Sequence, residues 1–250
     1  MIIMCYNVLC ARWEGRVDAV TSVIRDRRPD TFGLEEAHKG WMDAFSAALP
    51  EYGCVGVGRD DGKEEGEYSP VFYLREKYEV ADCGHFWLSE TPGRPGKGWD
   101  AACVRICSWA LLRNKRTGEE FAHFSTHTDH RGPKARVEGA KLIVERANAL
   151  FPDKNVILTG DFNDFPDSEM YKVITTGGFY DTRALAKDSD VRGTFTDFDN
   201  IDTSDGTQTI DYIFTNNKNA DVRSFKVIHD RLPDGSAPSD HDAVIADITF

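Results

Sequence analysis

The sequence predicts an α/β or α+β fold in which two packed β-sheets carry helices on their outer faces. Three observations lead there. Ten short apolar runs recur along the chain, each bounded by Gly, Pro, Asp or Asn clusters. Stretches of helical periodicity fall between them. Ten strands are more than one open sheet comfortably holds, which favours two sheets packed face to face.

The strand-like runs are residues 2–9, 31–35, 52–58, 69–75, 106–113 and 121–127, followed by 155–161, 209–215, 222–229 and 243–250. The first helix is expected over 16–28, where Val17, Val20, Val23 and Ile24 repeat at helical spacing. A second is expected over 39–49, with Trp41, Phe45, Ala48 and Leu49 on one face. The third, 133–151, opens near Pro133, which a first helical turn accepts because that N–H needs no partner. A short fourth helix, 167–174, would be capped by Asp167 or Ser168. No repeat, low-complexity tract or linker interrupts the chain, so residues 1–250 are expected to form a single domain.

Composition narrows the function classes. A hydrophobic fraction of 40% supports a sizeable core, and the net charge of −12 argues against a protein that coats nucleic acid non-specifically. It leaves room for a nuclease, since a local basic cleft or a bound cation reverses the field where it matters. The six cysteines form no Cys-x-x-Cys pair and sit mostly among apolar neighbours, which reads as buried free thiols rather than disulfides or structural zinc. The opening run MIIMCYNVL lacks a basic stretch and a cleavage site, and no apolar run approaches the roughly 20 residues needed to cross a bilayer. A cytoplasmic, reduced protein is the expectation.

The chemistry gathers at strand ends. GDFNDFPDSEMY, residues 160–171, follows the apolar run NVILT and presents Asp161 and Asn163 as that strand stops. Such residues favour turns, but the pattern recurs. Asn7 closes the first run, Glu35 and Glu36 the second; His127 and Asp129 follow FAHFST, Asp211 lies in TIDYIF, and Asp240 and His241 precede the last strand. An acidic residue in an apolar strand is costly unless paired or metal-bound. Carboxylate and amide oxygens without cysteine suit a hard cation such as Mg²⁺ or Mn²⁺. Two histidines suit proton transfer or stabilisation of developing charge. No Gly-x-Ser-x-Gly elbow, Walker loop or Gly-x-Gly-x-x-Gly is present.

In order and spacing, YNVL, GLEE, THTDH, GDFND, TIDYIF and SDHDAV resemble the boxes of the endonuclease/exonuclease/phosphatase family, over residues 4 to 246. The resemblance implies a four-layer αββα sandwich of two mixed sheets. It implies that Glu36 is the main metal ligand, that Asn7 and Asp240 complete the metal shell or hold its waters, and that Asp161 orients and activates the attacking water. Asn163 would support that water or a phosphate oxygen. His241 would stabilise charge on the scissile phosphate with Asp211 fixing its tautomer. His127 would donate to another phosphate oxygen, paired with a neighbouring glutamate for which Glu67 is the candidate. Glu35 reads as a solvated or structural neighbour of the ligand.

Substrate signals are thinner. The Gly/Pro-rich stretch 89–109 holds Trp99 and Arg105, which could stack a base or sugar and grip a phosphate. Asp129 is divided between substrate contact and loop bracing. Short connections and the lack of a basic stripe favour a small phosphorylated metabolite, or a short nucleic-acid end, over internal cleavage of a long duplex. The expected function is therefore metal-dependent hydrolysis of a small phosphate ester. A Mg²⁺-dependent nuclease acting on DNA or RNA is the alternative, and a catalytically silent binding module on the same scaffold a further one. No membrane and no obligate protein partner is called for.

Overall fold

A computed structural model of the protein describes residues 1–11 and 13–250, the side chain of Glu14 excepted. Thirteen strands form two sheets. They are β1 (Ile2–Asn7), β2 (Thr31–Glu35), β3 (Tyr52–Val55), β4 (Val71–Leu74), β5 (Tyr78–Trp87), β6 (Ile106–Asn114), β7 (Glu120–His127), β8 (Asn155–Asp161), β9 (Tyr180–Asp181), β10 (Asp188–Ser189), β11 (Asp211–Thr215), β12 (Asp221–Ile228) and β13 (Ala243–Thr249). One sheet has the order β10-β12-β13-β1-β2-β4-β3, the other β5-β6-β7-β8-β11-β9. Both are mixed: β1 runs parallel to β2 and β7 parallel to β8, while their other neighbours are antiparallel. The longer helices are α1 (Val17–Arg27), α2 (Lys39–Ala48), α3 (Pro133–Leu150) and α4 (Glu169–Thr176); a single turn, α5, covers Thr182–Leu185.

Side-chain alternation builds the layers. On β1, Met4 and Tyr6 pack towards α1 and α2 with Val20, Ile24, Trp41 and Phe45. Ile3 and Cys5 face the opposite way, into a shared layer with Ile157, Ile213 and Val244. On β8, Val156 and Leu158 meet Ile143 and Ala147 of α3 and Ile174 of α4. The result is the four-layer sandwich, helices outside and two sheets within, and the period of two assigns each strand residue to a layer.

The middle of the inter-sheet layer is polar. His123 bridges the sheets, Nδ1 2.8 Å from Thr31 Oγ1 and Nε2 3.0 Å from Thr159 Oγ1. Burial pushes this imidazole down to about 3, so it is a neutral clasp. The sheets come close here: a Cβ on Gly33 would lie 2.2 Å from Thr159 Oγ1 and 2.7 Å from Ser125 Oγ.

Strand β5 was absent from the predicted elements. It is an edge strand, bulged between Val80 and Asp82 and exposed along much of its length, so it has too few buried positions to show an apolar rhythm. Helix α4 is capped by Ser168, whose hydroxyl accepts from the Tyr171 N–H at 3.2 Å. All six cysteines are free, but Cys54 and Cys83 are exposed, against the expectation of largely buried thiols; they lie on β3 and β5, strands at the two sheet edges. Among the described residues no helix is long and apolar enough to cross a membrane.

Candidate active site

Parallel pairing in the centre of each sheet brings four strand ends to one rim. Asn7 lies beside Glu35, and His127 beside Asp161. Strand β11 runs antiparallel to β8 and begins where β8 ends, so Asp211 pairs with Asp161. Strand β13 opposes β1, which carries the preceding Asp240 and His241 to the same rim. Parity then selects the face: Asn7, Glu35, His127, Asp161 and Asp211 share the inward register of Ile3, Gly33, His123, Ile157 and Ile213. Open α/β sheets bind ligands at such carboxyl ends.

Glu36 escapes the buried layer by a backbone turn. Its φ is +61°, a left-handed conformation uncommon for a residue with a Cβ. Asn163 at φ +48° is held the same way. Both line a cavity of about 330 Å³ with His127, Asp161, Asp240 and His241, and Arg59 and Arg105 form part of its wall. Hollows of about 440 and 640 Å³ open among the other ends of these strands, near Tyr78 and Thr249, and gather none of the strand-end groups.

Asn7 ties the acidic side together. Its Nδ2 donates to Asp161 Oδ2 at 2.9 Å and to Glu36 Oε1 at 3.2 Å, while its Oδ1 accepts from the Leu9 N–H at 3.0 Å. Glu36 Oε2 accepts from the Cys10 N–H at 3.1 Å. Burial would raise the Glu36 carboxyl, but these donors and His241 outweigh it and keep the group low. Asp240 is pushed up by burial, and by the like charge of Glu36 against the pull of His241. Asp161 rises through burial and the charge of Asp211. Glu36, Asp161 and Asp240 line one small space, and carboxylate oxygens suit a hard divalent cation.

The two histidines are biased towards opposite protonation states. His241 Nδ1 lies 2.9 Å from Asp211 Oδ2, and its Nε2 lies 3.8 Å from Asp161 Oδ2. Burial would depress His241, yet Asp211, then Asp161 and Asp240, more than offset it and favour the protonated ring. His127 is pushed well down by burial, with Arg105 and Arg59 adding to the effect, so it is neutral. Its Nε2 sits 2.9 Å from Asn163 Nδ2 and 3.4 Å from Asp161 Oδ2.

One expectation is overturned and three open ones are narrowed. Glu67 does not pair with His127. It binds Arg59 Nη1 across the loop they share, because a guanidinium is a stronger partner for a carboxylate than a neutral imidazole. His127 Nδ1 has no hydrogen-bond partner among the described residues. Glu35 is not solvated but fully buried, its carboxyl raised by desolvation and bonded to the Cys5 thiol. Asp129 accepts from the N–H groups of Ala102, Cys103, Arg131 and Gly132, which hold its carboxyl well down despite burial; it braces the loop before β6. Trp99 lies outside the cavity lining, with its N–H on the Glu90 carboxylate.

Residues 4–241 match the Endonuclease/Exonuclease/phosphatase family. The chain belongs to that family. Like other members of the endonuclease/exonuclease/phosphatase family, it is a hydrolase of phosphate ester bonds. A mannosyl-6-phosphatase of Bacteroides thetaiotaomicron has a solved structure that is 35% identical and superposes with a TM-score of 0.94, all of both chains being covered. A family protein of Bacteroides vulgatus is 36% identical with a TM-score of 0.93, covering 100% of this chain and 98% of that one. Nocturnin of Xenopus laevis is 22% identical over 274 residues; the match takes in 99% of this chain and 67% of that protein. Family members are generally dependent on a divalent metal, in keeping with the acidic rim.

Arg59 was missed in the sequence. It stands in the loop after β3 amid an acidic run, where nothing local separates it from a solvated charge.

Proposed function

We propose that this chain is a divalent-metal-dependent phosphomonoesterase acting on a small phosphorylated metabolite, of the sugar-phosphate class. The observation that carries the reading is the cavity itself: about 330 Å³, lined by Glu36, Asp161 and Asp240 together with Arg59 and Arg105. That is the low end of small-molecule sites, enough for a phosphate and a compact alcohol. The family likeness to a mannosyl-6-phosphatase supports the same class.

A phosphate monoester repels hydroxide, so hydrolysis needs an aligned water, donors on the phosphoryl oxygens and a cation. Glu36, with Asp240 and Asn7 beside it, would hold Mg²⁺ or Mn²⁺, which supplies Lewis-acid polarisation of a phosphoryl oxygen. Asp161, in its ionised form, takes a proton from the water that attacks phosphorus. Asn7 fixes Asp161 through the 2.9 Å hydrogen bond. The His241 imidazolium, held by Asp211, donates from Nε2 to the phosphoryl group as negative charge grows there. The ester oxygen departs with the alcohol and inorganic phosphate remains. All these groups come from residues 1–250, which we read as one domain working without a protein partner.

The deciding experiment is a substrate panel of sugar phosphates, inositol phosphates, nucleotides and labelled DNA and RNA, assayed with Mg²⁺, Mn²⁺ and a chelator. Phosphate release from one or more small monoesters, abolished by chelation, is expected. Cleavage confined to DNA or RNA would overturn the reading in favour of a nuclease, and turnover that survives chelation would overturn the metal.

A further inference from the structure

Arg59 and Arg105 both line the cavity that holds Glu36, and the protein leaves part of their hydrogen-bonding capacity unused. Arg105 precedes β6 and is 4% exposed. Its Nη2 lies 3.2 Å from His130 Nδ1, but its Nε and Nη1 are buried with no hydrogen-bond partner among the described residues. The nearest carboxylate, Asp129, is 3.6 Å from Nε, and its oxygens already accept from four backbone N–H groups. Arg59 reaches the same cavity from the loop after β3. Glu67 holds its Nη1, while its Nε is likewise buried with no hydrogen-bond partner among the described residues, the Asp60 carboxylate lying 4.0 Å away. Two like charges share this wall, and a buried donor without an acceptor is a cost that a folded chain rarely carries without use.

We propose that Arg59 and Arg105 form a two-guanidinium wall that takes the non-bridging oxygens of a terminal phosphate, making the site selective for phosphomonoesters over phosphodiesters. A monoester at neutral pH presents three non-bridging oxygens that share about two negative charges, enough acceptors for the metal side, for His241 and for this wall. A diester replaces one of them by an esterified oxygen, a poor acceptor bearing carbon. An N–H of the wall would then face carbon and remain unpaired, the arrangement by which a polar site rejects an analogue lacking its partner atom. Guanidinium suits the task because its planar fork meets two phosphate oxygens at once. Glu67 is the positioning residue: its bond to Arg59 Nη1 anchors that guanidinium beside the cavity.

The inference rests on the phosphomonoesterase reading, and the test separates the two. In the wild-type chain with Mg²⁺, methyl phosphate and dimethyl phosphate are titrated by calorimetry, and methyl phosphate is expected to bind at least about tenfold tighter. Equal affinity would overturn the proposal without any variant. Inorganic phosphate is then titrated into R105Q, R105K and R59Q, with a thermal melt for each. The glutamine variants are expected to lose about tenfold or more in affinity, and R105K to fall between because it keeps charge but not the fork. The ratio of kcat/KM for p-nitrophenyl phosphate to that for bis(p-nitrophenyl) phosphate is expected to drop in parallel. Folded variants with an unchanged ratio and unchanged phosphate affinity would overturn the wall. A wild type that cleaves no monoester, yet loses phosphate binding in R105Q, would sink the phosphomonoesterase reading and uphold the wall.

Discussion

His241 and Asp161 stand 3.8 Å apart, Nε2 to Oδ2, one biased towards carrying a proton and the other the acceptor in the proposed reaction. The charge on His241 depends on Asp211, bonded to its other nitrogen at 2.9 Å. Because the folded pKa of His241 is raised, its charged form persists to higher pH than a free imidazole. The stability it contributes is complete below the unfolded value of about 6.5 and is lost as pH rises through the folded value. Asp211→Asn should therefore lower kcat by about 10²–10⁴-fold and move the alkaline limb of the kcat/KM profile to lower pH. An alkaline limb that stays in place would remove Asp211 from this role.

Asp161→Asn should abolish most turnover, by about 10²–10⁴-fold, while leaving the fold intact. Retained activity within about tenfold would strike Asp161 from the mechanism. The stability effect runs the other way. A carboxyl raised by burial and by Asp211 holds a proton more tightly in the folded state, so it destabilises as pH rises above the unfolded value of about 3.9. The Tm of the variant relative to wild type is expected to rise between pH 5 and pH 8. A constant difference would show that Asp161 carries no such shift.

Glu36→Gln and Glu35→Gln should separate two adjacent glutamates. The first removes a charge from the cavity and should weaken Mg²⁺ or Mn²⁺ affinity by at least about tenfold in calorimetry. The second replaces a fully buried carboxyl, raised by desolvation and by the charges of Asp211 and Asp161, with its neutral isostere. Metal affinity should then stay within about threefold and stability within about 1 kcal/mol. The reverse pattern would transfer the ligand to Glu35.

Gly33→Ala tests the close approach of the sheets. Its Cβ would meet Thr159 and Ser125 of the other sheet at 2.2 and 2.7 Å, beneath the rim. A loss of about 1–3 kcal/mol in urea unfolding is expected, together with reduced turnover as Asn7 and Asp161 separate. Wild-type stability would mean that the layer yields more easily than its packing suggests.

Much of this was legible before any coordinates. Strand β8 and the Asp161–Asn163 turn announce themselves because an apolar run stops on acidic and amide groups. The pair Glu35–Glu36 and the pair Asp240–His241 follow from the same pattern, Glu36 is singled out by the family resemblance, and the two sheets follow from a count of strand-like runs too large for one. These are local properties: apolar period, turn chemistry and the cost of burying charge act over a few residues. Edge strand β5 was not legible, since half-solvated positions leave no period. What tertiary structure alone decided are the pairings: Asn7 spanning Glu36 and Asp161, Glu67 turned to Arg59 rather than His127, Asp129 spent on backbone, and Arg59 facing Arg105 from the other sheet. Each joins residues from separate loops or strands, and their partners depend on distances set by two sheets meeting through one buried layer, which a linear pattern of residues does not encode.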